Sequence, residues 1–344
     1  MPRPMGELRR LLAEWNSLVP TAQSRGIRGV RVRSHFHMRR EDARAKVAWL
    51  RNTVAPFFAP TMSLDATDTF AVEIEAILPR GTSRYQLAQM IQAEGVMCQE
   101  ESLNHTARTF WKLVTDGSLL TRGMGYDRVV EAVAPVLRGE AGLTSIHKVC
   151  SVMNRIGSTI TKECGLHVHV GASHRDVNFF RNIMTLTWHF ADAIDSFMSP
   201  SRRRGISHWC QPHRVNLPAM RLATNLSEVA SATGILNFAT TNVRGSYRYR
   251  AVNLLAFRQH STIEFRQHQG TTDARKTEMW VRTCLKMCAK AGETGMNIDA
   301  ILAAPQTLEG FLSFIGSDDA EKAYLTERRD FFSASTSTQM RRSA

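Results

Sequence analysis

Two histidines, His167 and His169, stand two residues apart in Gly165-Leu166-His167-Val168-His169-Val170-Gly171, alternating with Leu166, Val168 and Val170. That is the period of a strand with one polar and one apolar face, and it puts the imidazoles roughly 6.5–7 Å apart on one side. A second alternating stretch, Phe70-Ala71-Val72-Glu73-Ile74-Glu75-Ala76-Ile77-Leu78, turns Glu73 and Glu75 to one face and Phe70, Val72, Ile74, Ala76 and Leu78 to the other. Neighbouring carboxylates repel unless a cation lies between them. A third, Ser261-Thr262-Ile263-Glu264-Phe265-Arg266-Gln267-His268, sets Thr262, Glu264, Arg266 and His268 opposite Ile263, Phe265 and Gln267. Three polar strand faces carrying Glu, His and Arg make a candidate site for a divalent cation and an anionic ligand. Arg266, beside Glu264, has the fork geometry that suits a carboxylate or a phosphoryl group.

The elements that must position these residues read as a mixture of strands and helices without a regular βαβ rhythm. The expected fold is therefore α+β, with helices packed on a mainly antiparallel curved sheet. A helix over 83–94 has Ser83 as its N-cap, strands follow near 108–115 and 129–134, and Asp116-Gly117-Ser118 marks a turn. Helices are expected over 142–157, 175–198 (the longest) and 273–291, and a strand pair over 247–255 and 261–269. Residues 199–234 read as a long irregular loop, of a length that is usually functional or a lid, with Arg202-Arg203-Arg204 as a solvated run within it. His260 and His268 read as ordinary structural histidines. The expected organisation is a basic helical extension over 1–64, a catalytic domain over 65–315 and a partly disordered tail over 316–344, where Ser333 to Thr338 is of low complexity.

The chain has 344 residues, 43% hydrophobic and 22% charged, which is the composition of a globular protein with room for a large core. No apolar run is long enough to span a membrane, and no signal peptide is apparent. The six cysteines include no Cys-x-x-Cys pair, so a reduced cytoplasmic protein is expected. The net charge of +13 collects in residues 1–51 and at Arg202–Arg204, and suggests an anionic partner for the extension.

Assembled in order, these stretches resemble the amidoligase family, a branch of the carboxylate–amine ligases that share a fold with glutamine synthetase and glutamate–cysteine ligase. The resemblance runs through Phe70-Ala71-Val72-Glu73-Ile74-Glu75, Trp111-Lys112-Leu113-Val114-Thr115-Asp116-Gly117-Ser118 and Glu131-Ala132-Val133-Ala134-Pro135. It continues through Cys164 to Gly171, Ser201-Arg202-Arg203-Arg204 with His208-Trp209-Cys210, Arg248-Tyr249-Arg250-Ala251-Val252-Asn253, and Thr262-Ile263-Glu264-Phe265-Arg266-Gln267-His268. It covers about residues 66–290. Ala134 stands where the family usually has a serine.

The resemblance implies a glutamine synthetase-like catalytic fold and an enzyme that uses ATP and Mg²⁺ or Mn²⁺ to join a carboxylate to an amine through an acyl phosphate. It implies that Glu73 and Glu75 divide between two metal positions. Glu131 and Asp116 would complete one of these, His167 and Glu264 the other. His169, Arg248 and Asn253 would serve the nucleotide, and Arg248, with Arg244 behind it, also the transferring phosphoryl group. Arg266, Arg248 and Glu264 form the expected catalytic set. A glutamate-like carboxylate is expected, with an amino acid, a peptide or a protein supplying the amine, and oligomerisation stays open. Two other readings stand beside it: a metallohydrolase built on the His-x-His and carboxylate cluster, and a basic nucleic-acid-binding protein.

Overall fold

Strand β1 (Thr69–Ile77) lies in the middle of an eight-stranded sheet because its apolar face is fully sequestered while its polar face carries Glu73 and Glu75. The computed structural model describes Leu64 and residues 67–104, 106–120 and 125–342, with side chains through Ala334. The expected basic extension over 1–64 lies almost wholly outside the described residues. Residues 62–318 and 324–344 form one compact unit, to which the following description applies.

The strands run in the order β2 (Cys98–Glu100), β3 (Trp111–Val114), β4 (Val129–Val133), β1, β6 (Gly165–Gly171), β8 (Thr262–Gln269) and β7 (Val252–Asn253), with β5 (Leu137–Arg138) pairing β1 off this path. Every pairing is antiparallel except β2 with β3. The fold is α+β on a mainly antiparallel sheet, as its mixed sequence pattern predicts.

Helix α1 (Arg84–Ala93) starts at a capping box in which the Ser83 hydroxyl accepts from the Gln86 N–H and the Gln86 side chain accepts from Ser83 N. Helices α2 (Gly139–Arg155) and α8 (Ala274–Ala291) pack on the sheet, and α3 (Val177–His189) packs on α8. Gly142 of α2 sits where a Cβ would come within 2.9 Å of the Phe70 ring, so its missing side chain lets helix and sheet meet. Trp280 of α8 meets Phe265 edge-on at 6.4 Å between ring centroids.

Four stretches depart from the sequence reading. The helix expected over 175–198 breaks at Phe190 into α3 and α4 (Ala191–Ser196). Thr185 and Thr187 donate back to the Arg181 and Ile183 carbonyls, which bends a helix, and the Phe190 ring is held by Phe311 and Phe314. Residues 199–234 are not an irregular loop. They hold 3₁₀ turns at Pro200–Arg202 and His208–Cys210, then α5 (Leu217–Leu222) and α6 (Leu226–Ala232), capped by Asn216 and Asn225. The strand expected over 247–255 shrinks to β7, because Tyr249 is wedged against His208 and Trp209, and the chain then turns into α7 (Ala256–His260). Past α9 (Ile298–Ala303) and α10 (Leu308–Phe314), the expected tail is helical as α11 (Asp319–Arg342). Tyr324, Leu325 and Arg328 are buried there, and a helix anchored at one end propagates through a weak sequence at little cost.

All six cysteines are buried and free. Among the described residues no helix is long and apolar enough to cross a membrane.

Candidate active site

Cross-strand register assembles the polar face. Glu73 lies opposite His167 on β6, Glu75 opposite Glu131 on β4, His169 opposite Glu264 on β8, and Glu264 opposite Asn253 on β7. Directly opposed residues have Cβ atoms about 4.5–5.5 Å apart, so five strands bring their side chains to one place. Two sets of donor atoms each fall within 4.8 Å of one another: Glu73, His167 and Glu264, and Glu75, Glu131 and His167.

His167 is the hinge between the two sets. Its Nδ1 lies 2.8 Å from a Glu73 oxygen and 3.8 Å from Glu264, while its Nε2 lies 3.7 Å from Glu75. A neutral imidazole has one lone pair, so it can ligate in one set while its N–H donates to the other. His169 Nδ1 is 2.9 Å from the Thr262 hydroxyl, and its Nε2 points between Glu73 (3.4 Å) and Glu264 (3.9 Å) with no hydrogen-bond partner. It therefore stands beside the first set and not at a distance from it.

Glu264 is 4% exposed and held from two sides. The Asn253 amide donates to its Oε2 at 2.6 Å, and Arg266 Nη1 pairs with its Oε1. The Asn253 carbonyl oxygen accepts from Leu255 N, which fixes the amide's orientation. Asn253 thus acts through Glu264. Arg266 faces its own carboxylate neighbour, with its Nε unpartnered. Gly165 N donates to Glu75 Oε2 at 2.5 Å. Glu73 and Glu131 are half-buried, the Glu73 side chain being 23% exposed, whereas Glu75 and Glu264 are buried.

The charges divide unevenly. Burial alone would raise Glu73, but His167 and His169 outweigh it and hold the carboxyl well below the usual range. Burial is likewise outweighed at Glu264, where Arg266 and His169 hold the carboxyl at about 2. His169 is raised, since Glu264 and Glu73 overcome its burial. At the other end burial wins. Glu75 is raised despite His167, and Glu131 is pushed well above its ordinary value by burial and then by the carboxylates of Glu73 and Glu75. The first set is an ion-paired network, whereas the second holds more negative charge than its surroundings balance. Oxygen-rich sets with one imidazole suit Mg²⁺ or Mn²⁺ better than zinc. The buried unpartnered His169 Nε2 and the crowded carboxylates both fit a cation.

Other expected site residues sit apart. The Asp116 carboxylate accepts from Ser118 N and caps a 3₁₀ turn, Gly117–Leu119, reaching Glu75 and Glu131 only by its charge. Arg248 lies over the Tyr249 ring at 5.6 Å and makes no ion pair with the cluster; Arg244 is exposed. His268 leaves the polar face altogether. A bulge where β8 passes Leu166 and Val168 changes the alternation and turns His268 against Trp280.

Two residues of the polar side escaped the sequence reading. Lys112 lies opposite Val133 on the cluster's face, is 4% exposed and donates to the carbonyl and side-chain oxygens of Asn104 and to Thr106 O. Arg202, read as part of a solvated run, is 1% exposed and reaches the sheet beside Gly165. Pro200 at the start of its 3₁₀ turn was the one local signal that the run folds back. Arg204, by contrast, pairs with Asp192 and Asp195 at the rim.

The family model described as "Putative amidoligase enzyme" matches residues 66–288. A solved structure described as a novel glutamine synthase homolog is similar at 13% identity, over 84% of this chain and 71% of that one, with a TM-score of 0.39. No curated protein matches the chain.

Proposed function

The chain belongs to this amidoligase family, and from that premise we propose that it is an ATP-dependent carboxylate–amine ligase whose site is the polar face of β1, β4, β6 and β8. The observation that carries the proposal is the convergence of Glu73, Glu75, Glu131, His167 and Glu264, with donor atoms grouped within 4.8 Å. A site that transfers a phosphoryl group must hold a polyanion and keep water out.

Glu73, Glu264 and His167 would hold one divalent cation, and Glu75 and Glu131 a second. Bound there, Mg²⁺ or Mn²⁺ would neutralise the nucleotide's phosphates. Asn253 and Arg266 hold Glu264 in one rotamer, which keeps a ligand oxygen in place without reorganisation. Arg266, buried and charged, also opposes negative charge that builds up on the acceptor carboxylate. His169 Nε2, which makes no hydrogen bond and faces Glu73 at 3.4 Å, would donate to a phosphate oxygen or ligate beside Glu73. The burial of these groups protects an acyl phosphate from water until the amine attacks. The amine attacks the acyl carbon as its bond to phosphate breaks, and the amine's proton leaves with the phosphate or to solvent.

A glutamate-like carboxylate is the first donor to try, and acidic peptides are the first acceptors to try. The test is ADP and phosphate release from ATP and Mg²⁺ across a panel of carboxylates and amines, with Glu264→Gln as the control. Release that needs both partners and disappears in the control supports the ligase. Hydrolysis of amides without ATP would replace it with a metallohydrolase.

A further inference from the structure

Behind the cluster, on the helical side of β7 and β8, lies a cavity of about 480 Å³. Val252 and Phe265 line it, whereas their neighbours Asn253 and Glu264 belong to the cluster, so one layer of sheet separates the two. Trp188 and Ile194 bound it from the side of α3 and α4, Trp280 and Met287 from α8. Small-molecule sites are mostly apolar, measure about 300–1,000 Å³ and carry a few placed polar groups.

Two such groups here lack partners. Trp280 is 2% exposed, and its ring is fixed by contacts with Phe197, Phe265 and His268. Among the described residues nothing accepts from its buried indole Nε1. A buried donor left unmatched is costly. His213 supplies the complement. Its Nε2 lies 2.9 Å from the Met184 carbonyl, which can only accept, so Nε2 carries the proton and Nδ1 a lone pair. The contact with the Thr187 hydroxyl is also made at Nε2, which leaves Nδ1 unmatched. Burial lowers the ring's pKa to about 4, so it is neutral. The charges at the polar end are already answered: the Asp195 carboxylate accepts from Arg204 and from the Gln267 amide.

We propose that this cavity is a binding site, separate from the cluster, for a neutral planar heteroaromatic molecule that accepts a hydrogen bond from Trp280 Nε1 and donates one to His213 Nδ1. The rings of Trp188, Phe265 and Trp280 suit a flat apolar body. A charged ligand would find no unmatched counter-charge. The site does not rest on the ligase reading.

The test is NMR titration of the full-length, nitrogen-labelled protein at pH 8. Benzimidazole, with one ring N–H and one ring acceptor, is compared with indole, which has the N–H alone. The Trp280 indole resonance is identified by its loss in Trp280→Phe. Benzimidazole is expected to shift that resonance saturably. A neutral hydrogen bond corresponds to about 3- to 10-fold in affinity. The preference for benzimidazole over indole should therefore fall by that factor in Trp280→Phe, a comparison that cancels the loss of ring area common to both ligands. Should Trp280→Phe not fold, Ala191→Leu, which narrows the cavity and leaves the indole in place, is expected to weaken benzimidazole binding by at least as much.

No saturable shift in wild type, an unchanged preference in Trp280→Phe, or undiminished binding in Ala191→Leu overturns the proposal. Glu73→Gln, which alters the cluster alone, is expected to bind benzimidazole as wild type does. Loss of binding there would place the ligand in the catalytic cleft and overturn the proposal as well. Benzimidazole binding by a protein that forms no ADP would remove the ligase reading and leave this site standing.

Discussion

Replacing Glu131 by glutamine should stabilise the metal-free protein and weaken its response to metal. Glu131 lies opposite Glu75, with donor atoms of the pair and of His167 within 4.8 Å. Two ionised carboxylates at that distance repel by about 3.5 kcal/mol at an effective dielectric constant of 20. The alternative, keeping a proton at pH 7 on a group whose ordinary value is 4.5, costs about 3 kcal/mol. Both routes set the same ceiling, and partial solvent access at Glu131 lowers it to about 1–3 kcal/mol. At about 2–4 °C per kcal/mol, Glu131→Gln should melt several degrees higher than wild type in EDTA at pH 7. A raised folded-state pKa means that wild-type stability is fully present below pH 4.5 and is lost as pH rises towards the folded value. The advantage of the variant should therefore be small at pH 4.5 and grow above it. Saturating Mg²⁺ or Mn²⁺ should reverse the order, because an ion at a hundred times its Kd adds about 2.7 kcal/mol to wild type. Differential scanning fluorimetry at pH 5 and 8, with EDTA and with metal, checks all three. A variant less stable in EDTA, or an advantage equal at both pH values, would refute the charge-crowding argument.

Asn253→Ala should lower metal affinity by about 10- to 100-fold with little change in melting temperature, since it frees Glu264 to turn; Mn²⁺ titration of the two proteins decides this. On the opposite side of the sheet, Glu278 is 5% exposed. Burial raises it, but His147, Arg275 and Arg282 outweigh that and hold it at about 2. Its stabilisation, about 2–3 kcal/mol, is present above pH 4.5 and lost as pH falls through the folded value. Melting curves of wild type and Glu278→Gln should thus draw together as pH falls from about 5 to about 2, and a constant gap would contradict the assignment.

The strand faces were legible because β1, β6 and β8 as far as Phe265 alternate regularly, and a period of two can be read without knowing the partner strand. Glu73, Glu75, His167 and Glu264 could be grouped on that ground alone. Register was not legible. Nothing local to β8 announces the bulge that turns His268 away from Arg266, because a bulge depends on which strand lies alongside. Arg202 was hidden for a related reason: three consecutive arginines look alike in sequence. Only the 3₁₀ turn at Pro200–Arg202 and the carbonyl of Glu163 separate the buried one from its neighbours. The helices of 199–234 were missed because they are short. Asn216 and Asn225 carry the N-cap signal, but it is easily read as loop chemistry.

The most direct measurement is binding of ATP by isothermal titration calorimetry, with Mg²⁺ and with EDTA, to wild type and to Glu73→Gln. The account predicts binding that requires the metal and is weakened in the variant. ATP that binds equally well in EDTA, or equally well to Glu73→Gln, would contradict it, as would a protein that takes up Zn²⁺ but no nucleotide.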